Sequence, residues 1–330
     1  MIGSTGVGLI FGGAGSAALA AISQGCFVYY NYETRGKHYL DTFMHNLGGS
    51  NFYCNGISTV ATDDFNDLNE YVKYSDIVIG QPDCKIYSKL RTRKKEIVNI
   101  TDTQLFQFME YVNYIGPKIF IVENLVDGIA AIWNYLNTYD SRLKLSGLTD
   151  HYNLKIIDLD ASGFLPQRRK RSFLIGAHNQ YCDDPNMIDY WENHPTWSQS
   201  SDFNCRSVLK DLEDKDSFDK FLNHKAPKHS KERIKRFAEL VFGESYYGTQ
   251  NNRKIDPDGL APTITSHCTQ YVHYKNPRTL TVRECARLMG WPDWFEFKGT
   301  TTQQYDQVGK AIVVPVIEDL LRWALSLIKR

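Results

Sequence analysis

Short apolar runs alternate with helical stretches along the first half of the chain. Runs rich in β-branched and aromatic residues, typical of buried strands, occur at 7–11, 27–33, 75–80, 118–124 and 154–160. Between them, the stretches DTQLFQFMEYVNYIG and IAAIWNYLN have apolar residues at helical spacing. This alternation predicts an α/β fold with a doubly wound, mostly parallel, Rossmann-like sheet.

A glycine-rich turn follows the first predicted strand. The turn GGAGS leads into the predicted helix SAALAAISQG, which ends at Gly25. Strand, tight turn and helix make up half of a nucleotide-binding βαβ unit. Glycines let the backbone approach such a ligand closely. The sequence has no spaced GxGxxG, however, so a plain strand-to-helix turn explains the same residues about equally well.

The pattern changes after about His178. Residues 178–276 are rich in Trp, Asn, His and Lys and have few sustained apolar runs, so we predict a second, smaller lobe. The later segment PRTLTVRECARLMGWP is typical of a capped helix, and the apolar stripe of VVPVIEDLLRWALSLIKR requires a core to cover it. We therefore predict a first domain at 1–177, completed by a C-terminal helix at about 303–330, and a second at 178–302.

Composition and charge narrow the class of protein. The chain is 42% hydrophobic, and its 38 Lys and Arg balance 38 Asp and Glu, which excludes disordered, fibrous and uniformly basic chains. Its seven cysteines form no CxxC pair, which argues against a disulfide framework and a zinc site and favours a reducing compartment. The apolar N-terminus lacks a basic region and is interrupted by glycines, so we expect no signal peptide and no membrane span. Together with the cysteine pattern, this favours a cytoplasmic location and a site without a metal.

Residues that follow the predicted strands are the candidates for chemistry, because ligands of an open parallel sheet bind beyond the carboxyl ends of its strands. Glu33 follows the second strand, where a carboxylate can bind ribose hydroxyls, although a solvated loop acid is the simpler interpretation. Cys84 lies before a basic run that would favour its thiolate, so it is a candidate nucleophile. Glu123 ends a core strand, where an acid is costly without a partner or a function.

Two arginines precede another apolar run. Arg169 and Arg171 in LPQRRKRSFLIG are two residues apart, so both would point to the same face of a strand start. A basic surface patch is the alternative interpretation.

These segments, in this order, resemble the DNA (cytosine-5) methyltransferase family over almost the whole chain. FGGAG is similar to the family's cofactor loop, DIVIGQPDCKIYS to its catalytic-cysteine segment, IVENL to its ENV motif and PQRRKRSFLIG to its QxRxR motif. QNNRKIDPDGLAPTIT, RTLTVRECARLMGWP and QVGKAIVVPV resemble the stretches that follow target recognition and close the fold.

The resemblance implies methyl transfer from S-adenosylmethionine to carbon 5 of a cytosine flipped out of duplex DNA. The small lobe would then be a target-recognition domain. Cys84 would add to carbon 6, and Glu123 would bond ring nitrogen 3 and the amino group. Arg171, with Arg169 behind it, would hold the ring oxygen and the active-site loop.

The resemblance also implies the residues that bind cofactor and DNA. The cofactor would be held by Phe11, Gly12, Gly13, Ala14, Gly15, Glu33, Ile57, Asp83, Lys310 and Ala311. DNA would be contacted by Lys85, Ser88, Lys89, Arg91, Gln167, Lys225 and Lys228. We expect a monomer that acts on double-stranded DNA, and a restriction endonuclease is a candidate partner.

Several residues depart from the family pattern. The family's Pro-Cys-Gln is Asp83-Cys84-Lys85 here, Gly56 replaces an acid, and Lys310 replaces an Asn. A cation at 310 would repel a sulfonium and attract an added carboxylate. A carboxylated S-adenosylmethionine and carboxymethyl transfer are therefore an alternative, unless Asp83 pairs with Lys310.

Methylation of RNA cytosine and a catalytically silent DNA-binding relative are the remaining alternatives. The large recognition region favours duplex DNA over RNA. The presence of Cys84, Glu123, Arg169 and Arg171 together argues against a silent binder, because binding alone requires none of this set.

Overall fold

The computed structural model describes residues 5–48, 59–84, 99–138, 145, 148–182, 203–214, 220–246 and 252–328. These residues fall into two compact units. Unit 1 consists of the described residues within Met1–Leu159, Lys170–His194 and Ile317–Arg330. Unit 2 consists of the described residues within Asp160–Arg169 and Pro195–Val316. Residues 303–316 thus belong to unit 2, whereas the remainder of the C-terminal helix belongs to unit 1.

Seven strands form the sheet of unit 1. They are β1 (Gly6–Ile10), β2 (Phe27–Tyr32), β3 (Val60–Thr62), β4 (Ile77–Gly80), β5 (Ile119–Asn124), β6 (Tyr152–Asp160) and β7 (Lys170–His178). Their order is β3-β2-β1-β4-β5-β7-β6. Strands β1 to β5 pair in parallel, and β7 runs antiparallel to β5. The predicted doubly wound, mostly parallel α/β sheet is confirmed.

Helices connect the strands of unit 1. They are α1 (Ser16–Ser23), α2 (Lys37–Leu47), α3 (Gln104–Ile115), α4 (Val126–Thr138) and α5 (Leu148–His151). Helix α3 begins where Thr103 Oγ1 accepts the Phe106 N–H at 3.2 Å, and it ends at Gly116 in the left-handed conformation. Its apolar face packs into the same core as Phe120 and Val122 of β5.

The register of the parallel strands aligns their carboxyl ends. Ile10 pairs with both Tyr32 and Gly80, and Gly80 pairs with Val122. The residues that come directly after these four paired positions therefore lie side by side and form one row at the edge of the sheet. They are Glu33, Phe11, Gln81 and Glu123.

Unit 2 combines a small sheet with short helices. Its strands are β8 (Ser245–Tyr246), β9 (Asn252–Lys254) and β10 (Tyr271–Val272), in the order β10-β9-β8. Its helices are α6 (Cys205–Leu209), α7 (Lys231–Glu239), α8 (Val282–Leu288) and α9 (Thr301–Lys310), and α10 (Val314–Leu327) continues into unit 1.

A buried charged cluster holds the segment before α8 in unit 2. Glu284 has no exposed surface. Its carboxylate accepts hydrogen bonds from both Nη atoms of Arg278, at 2.6 and 2.7 Å, and from the Thr281 N–H, at 2.8 Å. His273 Nδ1 accepts the N–H groups of Lys275 and Asn276, and its Nε2 lies 3.6 Å from Glu284 Oε1. Burial outweighs the attraction of Glu284 and lowers the pKa of His273 from 6.5 to about 4.

The neutral His273 predicts a loss of stability in acid. The unfolded chain takes up a proton at this site near pH 6.5 and the folded chain only near pH 4. The contribution of this site to the free energy of unfolding is therefore complete above about pH 6.5. It decreases by about 1.4 kcal/mol per pH unit as the pH falls from about 6.5 toward about 4. Urea unfolding between about pH 7 and about pH 5 measures this loss.

The variant His273→Asn keeps an oxygen that can accept the same two N–H groups but cannot take up the proton. We expect it to reduce the pH dependence of the unfolding free energy. The control His45→Asn, at an exposed position, should leave that dependence unchanged. Equal pH dependence in all three proteins would contradict the assignment to His273.

Candidate active site

The turn after β1 presents backbone groups at the edge of the sheet. Phe11, Gly13 and Gly15 all have positive φ, at 56°, 64° and 105°. For a non-glycine residue such as Phe11 this conformation costs about 1–3 kcal/mol and persists only where the fold imposes it. A Cβ on Gly12 would lie 2.5 Å from Asn31 Oδ1. A side chain at position 12 would therefore collide with the buried residue Asn31, so this position of the turn requires glycine.

Glu33 joins this turn to Arg35. Glu33 Oε2 accepts the Gly13 N–H at 2.8 Å, and Arg35 Nε and Nη2 lie 2.5–3.0 Å from the carboxylate oxygens. Burial would raise the pKa of Glu33, but the charge and hydrogen bonds of Arg35 and the Gly13 N–H hold it below its usual value. The acid is thus ionised although it has no exposed surface.

The segment that carries the candidate nucleophile begins beside Glu123. Gln81 Nε2 donates to Glu123 Oε2 at 3.3 Å, and Asn124 Nδ2 donates to the Pro82 carbonyl at 3.2 Å. Cys84 follows two residues after Pro82 as a half-buried thiol that forms no disulfide. The described structure thus connects the end of β4, which leads to the thiol, with the end of β5, which carries the acid.

Glu123 also has a cation beside it. Arg171 Nε lies 3.0 Å from Glu123 Oε1, and the carboxylate side chain is only 5% exposed. The antiparallel pairing explains this contact. Glu123 is opposite Phe173, so Arg171, two residues before Phe173, lies diagonally across on the same face. The buried acid is therefore fixed between an amide donor and a guanidinium.

Gln104 bridges two segments of the row. Its Oε1 accepts the Asp83 N–H at 2.8 Å, and its Nε2 donates to Thr34 Oγ1 at 3.1 Å. The residue before the thiol and the residue after Glu33 are therefore held by the same side chain at the start of α3.

Arg169 and Lys310 lie in unit 2. The Arg169 guanidinium donates to the carbonyls of Ile264, Gly309 and Ala311 at 2.6, 3.2 and 3.1 Å. Arg169 thus fixes the segment that contains Lys310 and Ala311, and its guanidinium contacts different groups from that of Arg171. Lys310 Nζ forms an ion pair with Asp306 at 3.0 Å within α9.

Gln167 is a buried polar link in unit 2. It has no exposed surface, and its Nε2 donates to the Leu288 carbonyl at 2.7 Å while its Oε1 accepts the Ile264 N–H at 2.9 Å. The DNA contact expected of Gln167 finds no support in this placement, because both ends of the amide bond to the protein. Lys225 and Lys228 are exposed.

The predicted site residues Ile57, Lys85, Ser88, Lys89 and Arg91 lie outside the described residues. Within the described ranges, no group of three or more His, Cys, Asp or Glu side chains could hold a metal ion. No helix among those residues is both long and apolar enough to cross a bilayer.

Three residues of this site were missed by the sequence analysis: Arg35, Gln81 and Gln104. Gln81 directly follows a predicted strand, which is a usable signal. Arg35 lies two residues after Glu33, and a basic residue so close to a buried acid is the signal for its ion pair. Gln104 begins a helix and gives no sign of its two partners.

The fold and site define an α/β methyltransferase, and the chain belongs to the C-5 cytosine-specific DNA methylase family, whose profile matches residues 8–324. It is 28% identical to the type II methyltransferase M.MJ0563P of Methanocaldococcus jannaschii over 265 residues, which are 74% of this chain and 76% of that protein. It is 25% identical to the type II methyltransferase M1.HphI of Haemophilus parahaemolyticus over 328 residues, 92% of this chain and 82% of that one.

The fold is also similar to a solved structure. A chain described as a DNA modification methyltransferase encoded within an Escherichia coli prophage aligns with a TM-score of 0.72 and 21% identity, covering 98% of this chain and 99% of that one. The family resemblance drawn from the sequence is confirmed.

The cofactor of this family is S-adenosylmethionine, and the residues at the end of β1 and β2 fit a nucleoside. Gly12, Gly13 and Gly15 carry no side chain, so a ligand can approach the backbone of this turn closely. Glu33 supplies an ionised carboxylate beside that turn.

The placement of Gln167 predicts a stabilising role. Gln167→Ala would leave a buried carbonyl and a buried N–H without their partner, which costs about 1–3 kcal/mol for each group. Lys225→Ala, an exposed matched control in the same unit, should change stability by less than about 0.5 kcal/mol. Urea unfolding distinguishes the two. Equal stabilities for both variants would show that Gln167 does not link these segments.

Proposed function

We propose that this chain transfers a methyl group from S-adenosylmethionine to carbon 5 of a cytosine in double-stranded DNA, through a covalent adduct with Cys84. The observation that supports these residue roles most directly is the edge of β4 and β5. There, the Cys84 thiol follows a segment that is hydrogen-bonded to the buried carboxylate of Glu123 and to Asn124.

A thiol is the nucleophile that this reaction requires. Carbon 5 of cytosine is a weak nucleophile, and addition of the Cys84 thiolate to carbon 6 makes carbon 5 electron-rich. The bound cofactor would supply a methyl group on a positively charged sulfur. Loss of the proton at carbon 5 and of the Cys84 thiolate from carbon 6 would then restore the ring and release the enzyme. A base stacked in a duplex cannot reach Cys84, so the target must be flipped out of the helix.

Glu123 is the proposed acid. Gln81 and Arg171 fix its carboxyl group, which would bond ring nitrogen 3 and the amino group of the flipped base. It would supply a proton to the ring as negative charge develops during thiolate addition. Arg171 would place its guanidinium beside the ring oxygen.

A basic segment of unit 2 is the proposed contact with the DNA backbone. Residues 225–254 contain eight Lys and Arg against three Asp and Glu, in a chain whose net charge is zero. Lys225, Lys228 and most of α7 are exposed, so they are available to phosphates. We further propose a cytoplasmic monomer, accompanied by a restriction endonuclease because relatives are type II methyltransferases.

Ordinary S-adenosylmethionine is the proposed donor, rather than a carboxylated form. The alternative requires the positive charge of Lys310 to attract an added carboxylate. Lys310 is paired with Asp306, and its side chain is 15% exposed. Because this ion pair offsets the charge, the structure gives the carboxylated donor no support.

A covalent trap tests the role of Cys84. In the presence of S-adenosylmethionine, duplex DNA with 5-fluorocytosine should form a denaturation-resistant adduct with the parent protein. The adduct is normally released by loss of the proton at carbon 5, and the fluorine that replaces this proton cannot leave as a cation. Cys84→Ser should form none, since a serine hydroxyl is a far weaker nucleophile. Cys26→Ser, at a buried cysteine, is the matched control and should keep the adduct. An equal adduct with Cys84→Ser would exclude this residue as the nucleophile.

Glu123→Gln should slow single-turnover methyl transfer by about 10²–10⁴-fold, because the amide cannot supply the proton. DNA affinity should change much less. Glu70→Gln, at an exposed acid of the same unit, should leave the rate unchanged. A Glu123→Gln protein with the parent rate would remove this acid from the mechanism.

A further inference from the structure

Arg35 has no role in the reaction as derived above, yet it lies at the centre of the proposed cofactor site. Its side chain is 6% exposed. Besides Glu33, its Nη2 donates to the Phe11 carbonyl at 2.8 Å, and its guanidinium lies 5.0 Å from the centre of the Tyr39 ring. The cation is therefore packed against the turn that would receive the cofactor.

The contacts of Arg35 occupy the carboxylate that the cofactor would use. Two carboxylate oxygens offer about four lone-pair positions. In Glu33 these oxygens accept the backbone N–H groups of Gly13 and Arg35, and Nε and Nη2 of Arg35 contact them as well. A ribose hydroxyl that bonds to Glu33 must therefore take a position that the guanidinium holds.

Asp83 is a second acid whose charge acts on Arg35. Burial would lower the pKa of Arg35, but Glu33 above all, and also Tyr39 and Asp83, raise it. Gln104 holds the two segments together, because it bonds to Thr34, next to Arg35, and to the backbone of Asp83. The segment that carries Asp83 is thus hydrogen-bonded, through Gln104, to the residue next to Arg35.

We propose that Arg35 is a positioning residue shared by two acids: when a ribose binds to Glu33, its guanidinium moves toward Asp83. A closer cation offsets more of the negative charge of Asp83, which is covalently next to Cys84. Occupation of the cofactor site then favours the thiolate. The proposal rests on the proposed function for Cys84 as nucleophile, and it explains how an acid is tolerated where the family has proline.

Other charged groups also belong to the segments around the thiol. Glu123 and Arg171 form an ion pair with each other. Lys85 and the basic residues that follow it in the chain lie outside the described residues. Variants at Arg35 and Asp83 therefore test whether a change in the titration of Cys84 on cofactor binding depends on these two residues.

Alkylation of Cys84 without DNA measures its thiolate directly. The full chain is treated with iodoacetamide from about pH 6 to about pH 10, with and without saturating S-adenosylhomocysteine, whose binding is checked by calorimetry. Mass spectrometry quantifies the modified Cys84 peptide. We expect S-adenosylhomocysteine to lower the midpoint pH by about one unit. An unchanged midpoint in the liganded protein, or no binding at all, would overturn the proposal.

Variants separate the proposal from a general effect of the ligand. Arg35→Gln should have a higher midpoint and Asp83→Asn a lower one, and neither midpoint should respond to S-adenosylhomocysteine. Lys37→Gln, at a lysine whose side chain is 83% exposed, should respond as the parent does. If S-adenosylhomocysteine shifts the midpoint of Arg35→Gln or Asp83→Asn as much as that of the parent, the proposal that Glu33 and Asp83 share the Arg35 guanidinium is contradicted.

The parent and Asp83→Asn proteins decide the question if Arg35→Gln does not fold. A parent protein that forms the 5-fluorocytosine adduct but shows no midpoint shift would retain the proposed function and lose this inference. A protein that shows the shift and forms no adduct would support the link from Arg35 and Asp83 to the Cys84 thiol but would contradict the proposed role of Cys84 as nucleophile.

Discussion

The parallel register of β2, β1, β4 and β5 is the constraint on which the proposed chemistry depends. Pairing of Ile10 with Tyr32 and Gly80, and of Gly80 with Val122, brings four strand ends level. The strand interiors are apolar and buried, so polar side chains appear where the strands end. A slip of one residue in β5 would turn Glu123 to the opposite face of the sheet.

Three buried glutamates among the described residues each have an arginine as partner. Glu33 pairs with Arg35, Glu123 with Arg171, and Glu284 with Arg278. Removing one partner of such a pair leaves an uncompensated buried charge, at a cost of about 3–5 kcal/mol.

The first and third of these pairs differ in their consequences. The pair Arg278 and Glu284 fixes a helix start in unit 2 together with Thr281. The pair at Glu33 instead occupies a group that the cofactor is expected to use, so a fixed pair would oppose binding. This conflict is the physical reason to infer that Arg35 moves.

The sequence was sufficient to predict five strands of unit 1, namely β1, β2, β4, β5 and β6, but not β3. Buried parallel strands are continuous apolar runs, so Glu123 at the end of one run and Cys84 in the loop after another could be recognised as candidate residues. The pattern did not reveal the partners of these residues. The contact between Arg171 and Glu123 depends on the antiparallel register of β7, which no local pattern encodes.

Polar residues with structural roles were the hardest to predict. The segment that contains Gln167 and Arg169 is rich in basic residues, which is typical of a surface patch. Both side chains are nevertheless buried and donate hydrogen bonds to backbone carbonyls of unit 2. Their partners lie about 100 residues or more along the chain. Strands β8 and β10 have two residues each, too few for an alternating pattern to be detected.

The chemical identity of the modified nucleoside tests the central claim most directly. Purified protein is incubated with duplex DNA and S-adenosylmethionine labelled in the methyl group, and the DNA is then digested to nucleosides and separated. If the methyl group is transferred to carbon 5 of cytosine, the label appears in 5-methylcytosine. Label in N4-methylcytosine or N6-methyladenine would contradict it, because methylation of an amino group requires no thiolate addition to the ring.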